Sequence, residues 1–293
     1  MSRTHECVGG ESTCVDSTTL YFSRIFDGEV AMGTAHRPTR SLKHEYELFV
    51  EQEIENYKDS LPRNVLLGIG DEAVSSLSAE PQLALTEVLL CEEVDRLIVK
   101  RLRLPSYGTW RRRRIKLINE LRRPEHWGLR PDDVLVRALP SDSEGRVLVA
   151  GAADEASALY LAANGCEVTT LASEMDMMER VIQAAIGAGL GSRIHARMGD
   201  LASWTPDDQL NAVIVSPSAL AGLSLAERAR VIGVLQSATA DGGVHLVQTL
   251  ASSSKSTGTV SLDELRTRYD GWEITVERSD GGARTLLARK GAA

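Results

Sequence analysis

Apolar side chains recur every three or four residues through much of the first half of the chain, with charged residues between them, and this spacing predicts amphipathic helices. Ser41 and Thr109 are suitable N-caps for the first and fourth of these helices, and Pro81 is a suitable first-turn residue for the third. In chain order, the predicted helices cover residues 41–60, 63–76, 81–104, 109–123 and 131–139. Residues 1–40 show almost no periodicity and are predicted to form an irregular arm.

After Pro140 the pattern changes, because short apolar runs begin to alternate with helical stretches. The predicted strands cover residues 146–150, 166–171, 193–197, 210–216, 243–250, 272–277 and 284–289. The predicted helices between them cover residues 155–164, 175–188, 225–240 and 262–269. Strands separated by helices imply right-handed crossovers and a parallel sheet. The glycine turn at 279–282 joins the last two strands, so one of these runs antiparallel.

The predicted fold class is therefore α/β. It is a doubly wound, mostly parallel seven-stranded sheet with a terminal antiparallel hairpin, preceded by a helical N-terminal region. The 293 residues have room for two domains of ordinary size. We expect an arm at 1–40, a helical cap or partner-binding region at 41–140 and a Rossmann-like domain at 141–293.

Composition excludes several classes of protein. About 43% of the residues are apolar and 25% are charged, which is typical of a globular protein and not of a disordered one. No apolar run approaches the roughly 18 residues needed to span a bilayer, and the first residues lack the apolar core of a secretory signal. We therefore expect a cytoplasmic protein without a membrane partner. The oligomeric state is not predicted.

The four cysteines, Cys7, Cys14, Cys91 and Cys166, have spacings that fit neither a zinc site nor a redox pair. His5 lies near the first two, but a metal site there would lack a fourth ligand. We expect no metal.

Charge is distributed unevenly along the chain. The net charge is −8, yet residues 96–123 contain eleven Lys and Arg against one acid, Glu120. This basic segment has two interpretations. Its helix pairs with the acidic face of residues 41–60, or Arg111–Arg114 contact a phosphate, an RNA or an acidic partner. Tyr107 and Trp110 are candidates for stacking on bases, but two aromatic residues are weak evidence for RNA binding.

The first predicted strand reads R-V-L-V-A and ends at Gly151. In doubly wound sheets, ligands bind beyond the carboxyl ends of the strands, and a glycine there allows the backbone to approach a cofactor closely. A strand-to-helix turn without any ligand explains the same residue. A single glycine turn does not decide between these interpretations.

The surrounding sequence resembles the class I S-adenosylmethionine-dependent methyltransferases, nearest to the branch with the thiopurine and tellurite-resistance methyltransferases. The resemblance covers about residues 124–290 and does not extend to the first 120 residues. It includes a Trp-containing segment (RPEHWGLRPDDVLVRALP), a glycine turn before an A-L-Y-L-A helix, R-M-G-D-L, a D-G-G-V-H-L-V strand and a final L-L-A-R-K. It implies a seven-stranded sheet, S-adenosylmethionine as cofactor and methyl transfer.

This sequence keeps only part of the family's cofactor-binding loop. Gly151 matches the first glycine of the family's G-x-G-x-G loop, and Ala152 follows it. Ala153 replaces the second glycine, and its methyl group narrows the pocket. Glu155 replaces the third and brings a carboxylate near the expected position of the methionine carboxylate, which is unfavourable unless its side chain points away.

The resemblance implies further contacts beyond the loop. Ala172 stands where the family has an acid for the ribose hydroxyls, and Glu174 is a candidate substitute. Asp200 matches the acid that meets the adenine amino group, with Leu201 beside the ring. The other implied cofactor contacts are Ser216, which follows the fourth strand, and Trp127, which precedes the domain.

Each of these residues also has a structural interpretation. Asp200 suits a turn, Glu174 suits a helix N-terminus, and Trp127 suits the junction between the helical region and the sheet. His195 and His245 lie within predicted strands, where a structural role is favoured over a catalytic one.

Two functions remain open from the sequence. The first is S-adenosylmethionine-dependent methyl transfer to a small-molecule acceptor, with no identifiable general base because the reaction depends mainly on orientation. The second is an inactive methyltransferase-like fold that serves as a binding or assembly subunit and uses the basic segment 96–123. The substitutions at Ala153, Glu155 and Ala172 favour the second. NAD-dependent chemistry is disfavoured by the glycine pattern and the terminal hairpin.

Overall fold

A computed structural model of the protein describes residues 41–78, 86–139, 145–151, 155–249, 260–278 and 283–291. The chain divides into two compact units between Leu102 and Arg103. The predicted arm at 1–40 lies outside the described residues, as does the predicted domain boundary near Pro140. The three-part division of the chain therefore stays a prediction.

The first unit contains three described helices: α1 (Leu42–Ser60), α2 (Arg63–Ser78) and α3 (Glu87–Leu102). Ser41 caps α1 as predicted, because its hydroxyl accepts from the backbone N–H of His44 at 3.2 Å. A small core of Ile54, Ile69 and Ile98 is formed by one side chain from each helix. The predicted start of α3 at Pro81 lies outside the described residues, and α3 ends two residues earlier than predicted.

The second unit opens with three short elements: α4 (Tyr107–Leu121), a 3-10 helix (Pro124–Trp127) and α5 (Val134–Ala138). The predicted cap at Thr109 is wrong, because Ser106 holds the N-cap position and its hydroxyl donates to Thr109 Oγ1 at 3.2 Å. Asp133 caps α5 by accepting from the N–H of Leu135 at 3.0 Å. The 3-10 helix was not predicted, since four residues are too few to show a periodicity.

The sheet has seven strands in the order β3-β2-β1-β4-β5-β7-β6. Their bounds are β1 Arg146–Ala150, β2 Glu167–Ala172, β3 Ile194–Met198, β4 Leu210–Val215, β5 Thr239–Thr249, β6 Glu273–Arg278 and β7 Arg284–Arg289. The first five strands pair in parallel, and β7 runs antiparallel between β5 and β6. This order confirms the predicted fold class. The glycine turn at 279–282 lies outside the described residues.

Five described helices accompany the sheet: α6 (Glu155–Ala163), α7 (Met175–Gly187), α8 (Pro217–Leu220), α9 (Leu225–Ala238) and α10 (Leu262–Arg268). Four of them agree with the predicted spans to within one or two residues. The single turn of α8 was not predicted. Strand β5 begins at Thr239, four residues before its predicted start, and its register with β4 shifts between Leu210 and Ala212.

Helices cover both faces of the sheet. In β1, Val147 and Val149 point into a core that includes side chains of α6 and α7. Leu148 and Ala150 point to the other face, into a core that includes side chains of α9 and α10. Parallel strands buried on both faces read as nearly continuous apolar runs, which explains the sequence of β1.

A buried polar chain links β5 to the helices on the second face. Thr239 Oγ1 donates to the carbonyl of Leu235 at 2.7 Å, so this hydroxyl must accept from His245 Nε2 at 2.7 Å. His245 therefore carries its proton on Nε2, and Nδ1 accepts from the hydroxyl of Tyr269 at 2.8 Å. Burial lowers the pKa of His245 to about 3 and raises that of Tyr269. The histidine is neutral and structural, as its place in a strand predicts.

Among the described residues, no helix combines the length and apolar character required to span a bilayer.

Candidate functional site

The direction of strand order reverses at β1, which lies between β2 and β4. Ala150, the last residue of β1, pairs with Leu171 on one side and Val215 on the other. The parallel strands therefore end at one edge of the sheet, which we call the carboxyl edge. A reversal of this kind opens a crevice between the ends of the two strands, and in doubly wound folds it is the usual ligand site.

Gly151 lies at this reversal with φ of 109°. A β-carbon there would overlap Oγ of Ser216 and would lie 2.8 Å from Oγ of Ser218. The backbone N–H of Gly151 donates to the carbonyl of Leu171 at 3.3 Å. Both the backbone conformation and the close approach of Ser216 therefore require glycine at this position. Ala152 and Ala153, the next predicted cofactor residues, lie outside the described residues.

Ser216 is fully buried and holds the N-cap position directly before α8. Its N–H donates to the carbonyl of Ala150 at 2.9 Å, and its hydroxyl shares a 2.8 Å hydrogen bond with that of Ser218. Ser218 is exposed, so the pair connects the buried end of β4 to the surface. Among the described side chains, the pair supplies the hydroxyl groups nearest to the position of a β-carbon on Gly151.

Glu174 precedes the first turn of α7 in an extended conformation, and its side chain makes no capping hydrogen bond. It is exposed, whereas Ala172 at the end of β2 is buried. Glu174 therefore lies at the helix N-terminus that its structural interpretation predicts, although its side chain forms no capping hydrogen bond. The carboxylate is presented to solvent at the carboxyl edge, two residues beyond the position where the family has its acid.

Asp200 follows β3 and forms a turn. Its carboxylate accepts from the N–H of Ser203 at 2.8 Å, which is the main reason that its pKa lies below the usual range. Arg230 holds the same turn by donating to the carbonyl of Ala202 at 3.0 Å. Asp200 is thus an exposed, ionised carboxylate in a braced turn. Asp200 therefore has the turn-forming role that its structural interpretation predicts, and its carboxylate lies at the carboxyl edge.

Leu201 is only 4% exposed and belongs to the core beneath α9. With Trp204 and Val231, it lines a cavity of about 60 Å³. Leu201 therefore anchors the turn formed by Asp200 to the core on the α9 face of the sheet.

Trp127 packs on the α6 face of the sheet, and its Nε1 donates to the carbonyl of Leu121 at 2.6 Å. The adjacent carbonyl of Arg122 accepts from Asn164 Nδ2 at 3.3 Å. Asn164 follows α6 just before β2 begins, so these contacts fix the end of α4 at the amino ends of the strands. The structure thus brings Gly151, Glu174, Asp200 and Ser216 to one edge and places Trp127 towards the opposite edge.

Two residues at the carboxyl edge were not predicted. Met175 and Met198 are exposed apolar side chains, at 51% and 46%, and they neighbour Glu174 and the Asp200 turn in sequence. Ser218, two residues beyond the predicted contact Ser216, hydrogen-bonds to it. The methionines could have been found from their positions, since one directly follows Glu174 and the other lies two residues before Asp200.

In the part of the chain that the structure describes, no group of three or more His, Cys, Asp or Glu side chains is arranged to hold a metal ion. His5, Cys7 and Cys14 lie outside that part. His195 is exposed on β3, the edge strand of the sheet.

Comparison with known proteins gives a family for the chain. A family model described as tellurite resistance protein TehB matches residues 133–285. No curated protein matches the chain.

Similar solved structures include TehB from Haemophilus influenzae, which is 19% identical over 50% of this chain, with a TM-score of 0.44. The chain covers only 58% of that protein. The N-methyltransferase NodS from Bradyrhizobium japonicum WM9 is 14% identical over 54% of this chain and 93% of its own, with a TM-score of 0.45. The glycopeptide N-methyltransferase MtfA, complexed with S-adenosyl-L-homocysteine, is 15% identical to this chain. The match covers 53% of this chain and 86% of MtfA, with a TM-score of 0.43.

The match to the family model spans more than half of the 293 residues and contains the whole carboxyl edge from Gly151 to Ser216. The chain belongs to the TehB family of class I S-adenosylmethionine-dependent methyltransferases.

Proposed function

We propose that this protein binds S-adenosylmethionine at the carboxyl edge, between the ends of β1 and β4, and transfers its methyl group to a small-molecule acceptor. The observation that carries the proposal is Gly151, held at φ of 109° against Ser216 where the strand order reverses. In doubly wound folds the ligand binds beyond the carboxyl ends of the strands, and a glycine at this position lets the backbone approach the ligand closely.

The residues of the carboxyl edge fit this cofactor. Glu174 offers an exposed carboxylate that can accept hydrogen bonds from the two ribose hydroxyls. Asp200 offers an ionised carboxylate for the adenine amino group, because the N–H of Ser203 keeps the pKa of Asp200 low. Met175 and Met198 give the apolar surface that a purine ring needs on its faces. Ala172 cannot replace the missing acid, so Glu174 carries that role alone.

The bound cofactor would supply an electrophilic methyl carbon on a sulfonium. Transfer of this carbon is an in-line displacement, so the contribution of the protein is to hold the acceptor on the correct line and to exclude water. The hydroxyl of Ser218 is exposed beside the reversal and is oriented by Ser216. We assign it to positioning a polar group of the acceptor. The proposal requires no general base for an acceptor that is already nucleophilic.

Titration calorimetry with S-adenosylmethionine, and separately with S-adenosylhomocysteine, tests the binding step. We expect saturable heat, and we expect Glu174→Gln and Asp200→Asn each to weaken binding about tenfold through loss of a charged hydrogen-bond acceptor. Glu273→Gln on β6 is the matched control, because this glutamate is also exposed but lies on a different strand. An absence of heat at millimolar ligand contradicts the proposal and leaves the fold as a binding or assembly subunit.

Methyl transfer itself is tested by incubating the protein with labelled cofactor and a panel of small amines, thiols and hydroxyl compounds. We expect a labelled product with one acceptor class, and slower turnover for Ser218→Ala at unchanged cofactor affinity. Tight cofactor binding with no methylated product from any class would contradict the catalytic half of the proposal.

A further inference from the structure

Helix α4 of the second unit carries a dense group of exposed cations. Arg111, Arg112, Arg113 and Lys116 are all exposed, and we call these four side chains the basic face of α4. They lie within six consecutive residues, about 8 Å along the helix axis. Glu120 is the only acid on the helix, and it pairs with Arg123 at 3.6 Å. The basic face therefore concentrates four positive charges on a small area.

Seven arginines elsewhere in the unit have a carboxylate partner: Arg123, Arg130, Arg137, Arg146, Arg197, Arg228 and Arg266. None of the four residues of the basic face forms an ion pair with a carboxylate of its own unit in the described ranges. The surface around α4 therefore leaves their charge available for a partner from outside the unit.

Arg112, Arg113 and Lys116 point away from the core because the other side of α4 is anchored, and Arg111 is exposed one turn before Ile115 on the anchored side. Leu121 is buried, Ile115 and Ile118 are half-buried, and the carbonyl of Leu121 accepts from Trp127. The contact between Asn164 and Arg122 fixes this end of α4 at the amino ends of the strands. The basic face is thus separate from the carboxyl edge and is not part of the proposed methyl-transfer site.

We propose that the basic face of α4 binds the phosphodiester backbone of a single-stranded nucleic acid. Three of its four cations are arginines, whose planar guanidinium groups match phosphate oxygens in a two-pronged geometry. The net charge of −8 does not oppose this, because charges more than about 10 Å away are largely screened at physiological salt.

The observations favour nucleic acid over a membrane surface. An amphipathic helix that lies on a membrane inserts an apolar face, whereas the apolar face of α4 is packed inward, and Leu117 is the exposed large hydrophobic residue of this helix. Tyr107 and Trp110 stack on each other, with ring centroids 6.5 Å apart, and both are half-buried. They are poorly placed as base platforms, so binding through the backbone without sequence preference is expected.

Fluorescence anisotropy with a labelled oligouridine of about 20 nucleotides tests the proposal on the full chain. Neutralising four phosphates of a single strand gives a slope of about −3 for log affinity against log salt. The variant with Arg111, Arg112, Arg113 and Lys116 all changed to Gln, a good helix former, is expected to bind at least tenfold more weakly. The matched control changes four other exposed arginines to Gln: Arg130, Arg266, Arg278 and Arg289.

The proposal is overturned if the control variant loses as much affinity as the α4 variant, or if the affinity does not depend on salt. It is also overturned if the protein binds vesicles of phosphatidylcholine with phosphatidylserine but not the oligonucleotide. The same holds if an acidic protein binds the basic face of α4 and the oligonucleotide does not. Should the quadruple variant fail to fold, the pairs Arg111/Lys116→Gln and Arg112/Arg113→Gln replace it. Each pair is then expected to reduce the salt slope by about half.

Discussion

The hydroxyl of Ser216 occupies the space that a β-carbon on Gly151 would need, so the end of β1 and the end of β4 are fitted together without room for any side chain at residue 151. The strands are neighbours in the sheet although 65 residues of chain separate these two positions. This contact leaves no space for a side chain between the ends of the two strands.

Gly151→Ala is expected to destabilise the protein by about 2–4 kcal/mol, because it adds both positive-φ strain and overpacking. Gly271→Ala is the matched control: φ is 81° there, but nothing lies within 4 Å of the added carbon, so about 1–2 kcal/mol is expected. Urea unfolding measures both. Adding Ser216→Ala to Gly151→Ala removes the closest clash and should recover part of the overpacking but none of the positive-φ strain. Equal losses for the two glycine variants would contradict the contact.

Glu155→Gln is expected to tighten S-adenosylmethionine binding several-fold at low salt. Glu155 begins α6, directly after the loop that starts at Gly151, so its charge lies close to where the methionine carboxylate would bind. Calorimetry on Glu179→Gln, an exposed glutamate of α7, provides the control. Unchanged or weaker binding by Glu155→Gln would show that this side chain points away from the cofactor.

Acidification is expected to destabilise the second unit through His245. The pKa of this residue is about 3 in the folded state and about 6.5 in an unfolded chain, so below pH 6.5 the unfolded state binds the proton more readily. Stability contributed by the neutral histidine is complete above pH 6.5 and falls by about 1.4 kcal/mol per pH unit towards pH 3.

The variant His245→Gln removes this titrating group, so the difference in unfolding free energy between wild type and variant should shrink as the pH falls from 7 to 4. Tryptophan fluorescence reports the transition, and one of the four tryptophans, Trp272, has its ring centroid 4.8 Å from that of His245. A difference that stays constant with pH would mean that His245 has the same pKa in the folded and unfolded states, which would contradict its burial as a neutral group.

The ion pair between Arg228 and Glu264 joins α9 to α10 with an N–O distance of 3.1 Å, and both side chains are largely buried, at 9% and 14% exposure. Changing Glu264→Gln leaves a buried guanidinium without its counter-charge and is expected to cost about 3–5 kcal/mol. Glu120→Gln, which removes an exposed pair with Arg123, should cost less than about 1 kcal/mol. Thermal unfolding of the two variants distinguishes a structural pair from a surface pair.

Hydrophobic periodicity predicted the order of helices and strands because burial imposes a period of about 3.6 or a continuous apolar run on the residues themselves. It placed α6, α7 and β7 within a residue or two, and the family resemblance came from local motifs such as D-G-G-V-H-L-V. The element order and the family resemblance both depend on residues that are neighbours along the chain, so both can be predicted from the sequence.

The cap of α4 and the 3-10 helix were not predicted correctly, since a single turn shows no period and two nearby hydroxyl residues, Ser106 and Thr109, suit the same role. Which helix end uses which cap depends on where the chain enters the fold, and this is fixed by packing elsewhere.

What the sequence by itself determined is the fold class, the family and the position of Gly151, because these follow from local patterns of apolar residues and glycines. The tertiary structure alone decided that Ser216 packs against Gly151 and that Trp127 lies towards the opposite edge from Asp200. Contacts between residues far apart in the chain depend on strand order and helix docking, and those are set by the total burial of the core rather than by any one segment.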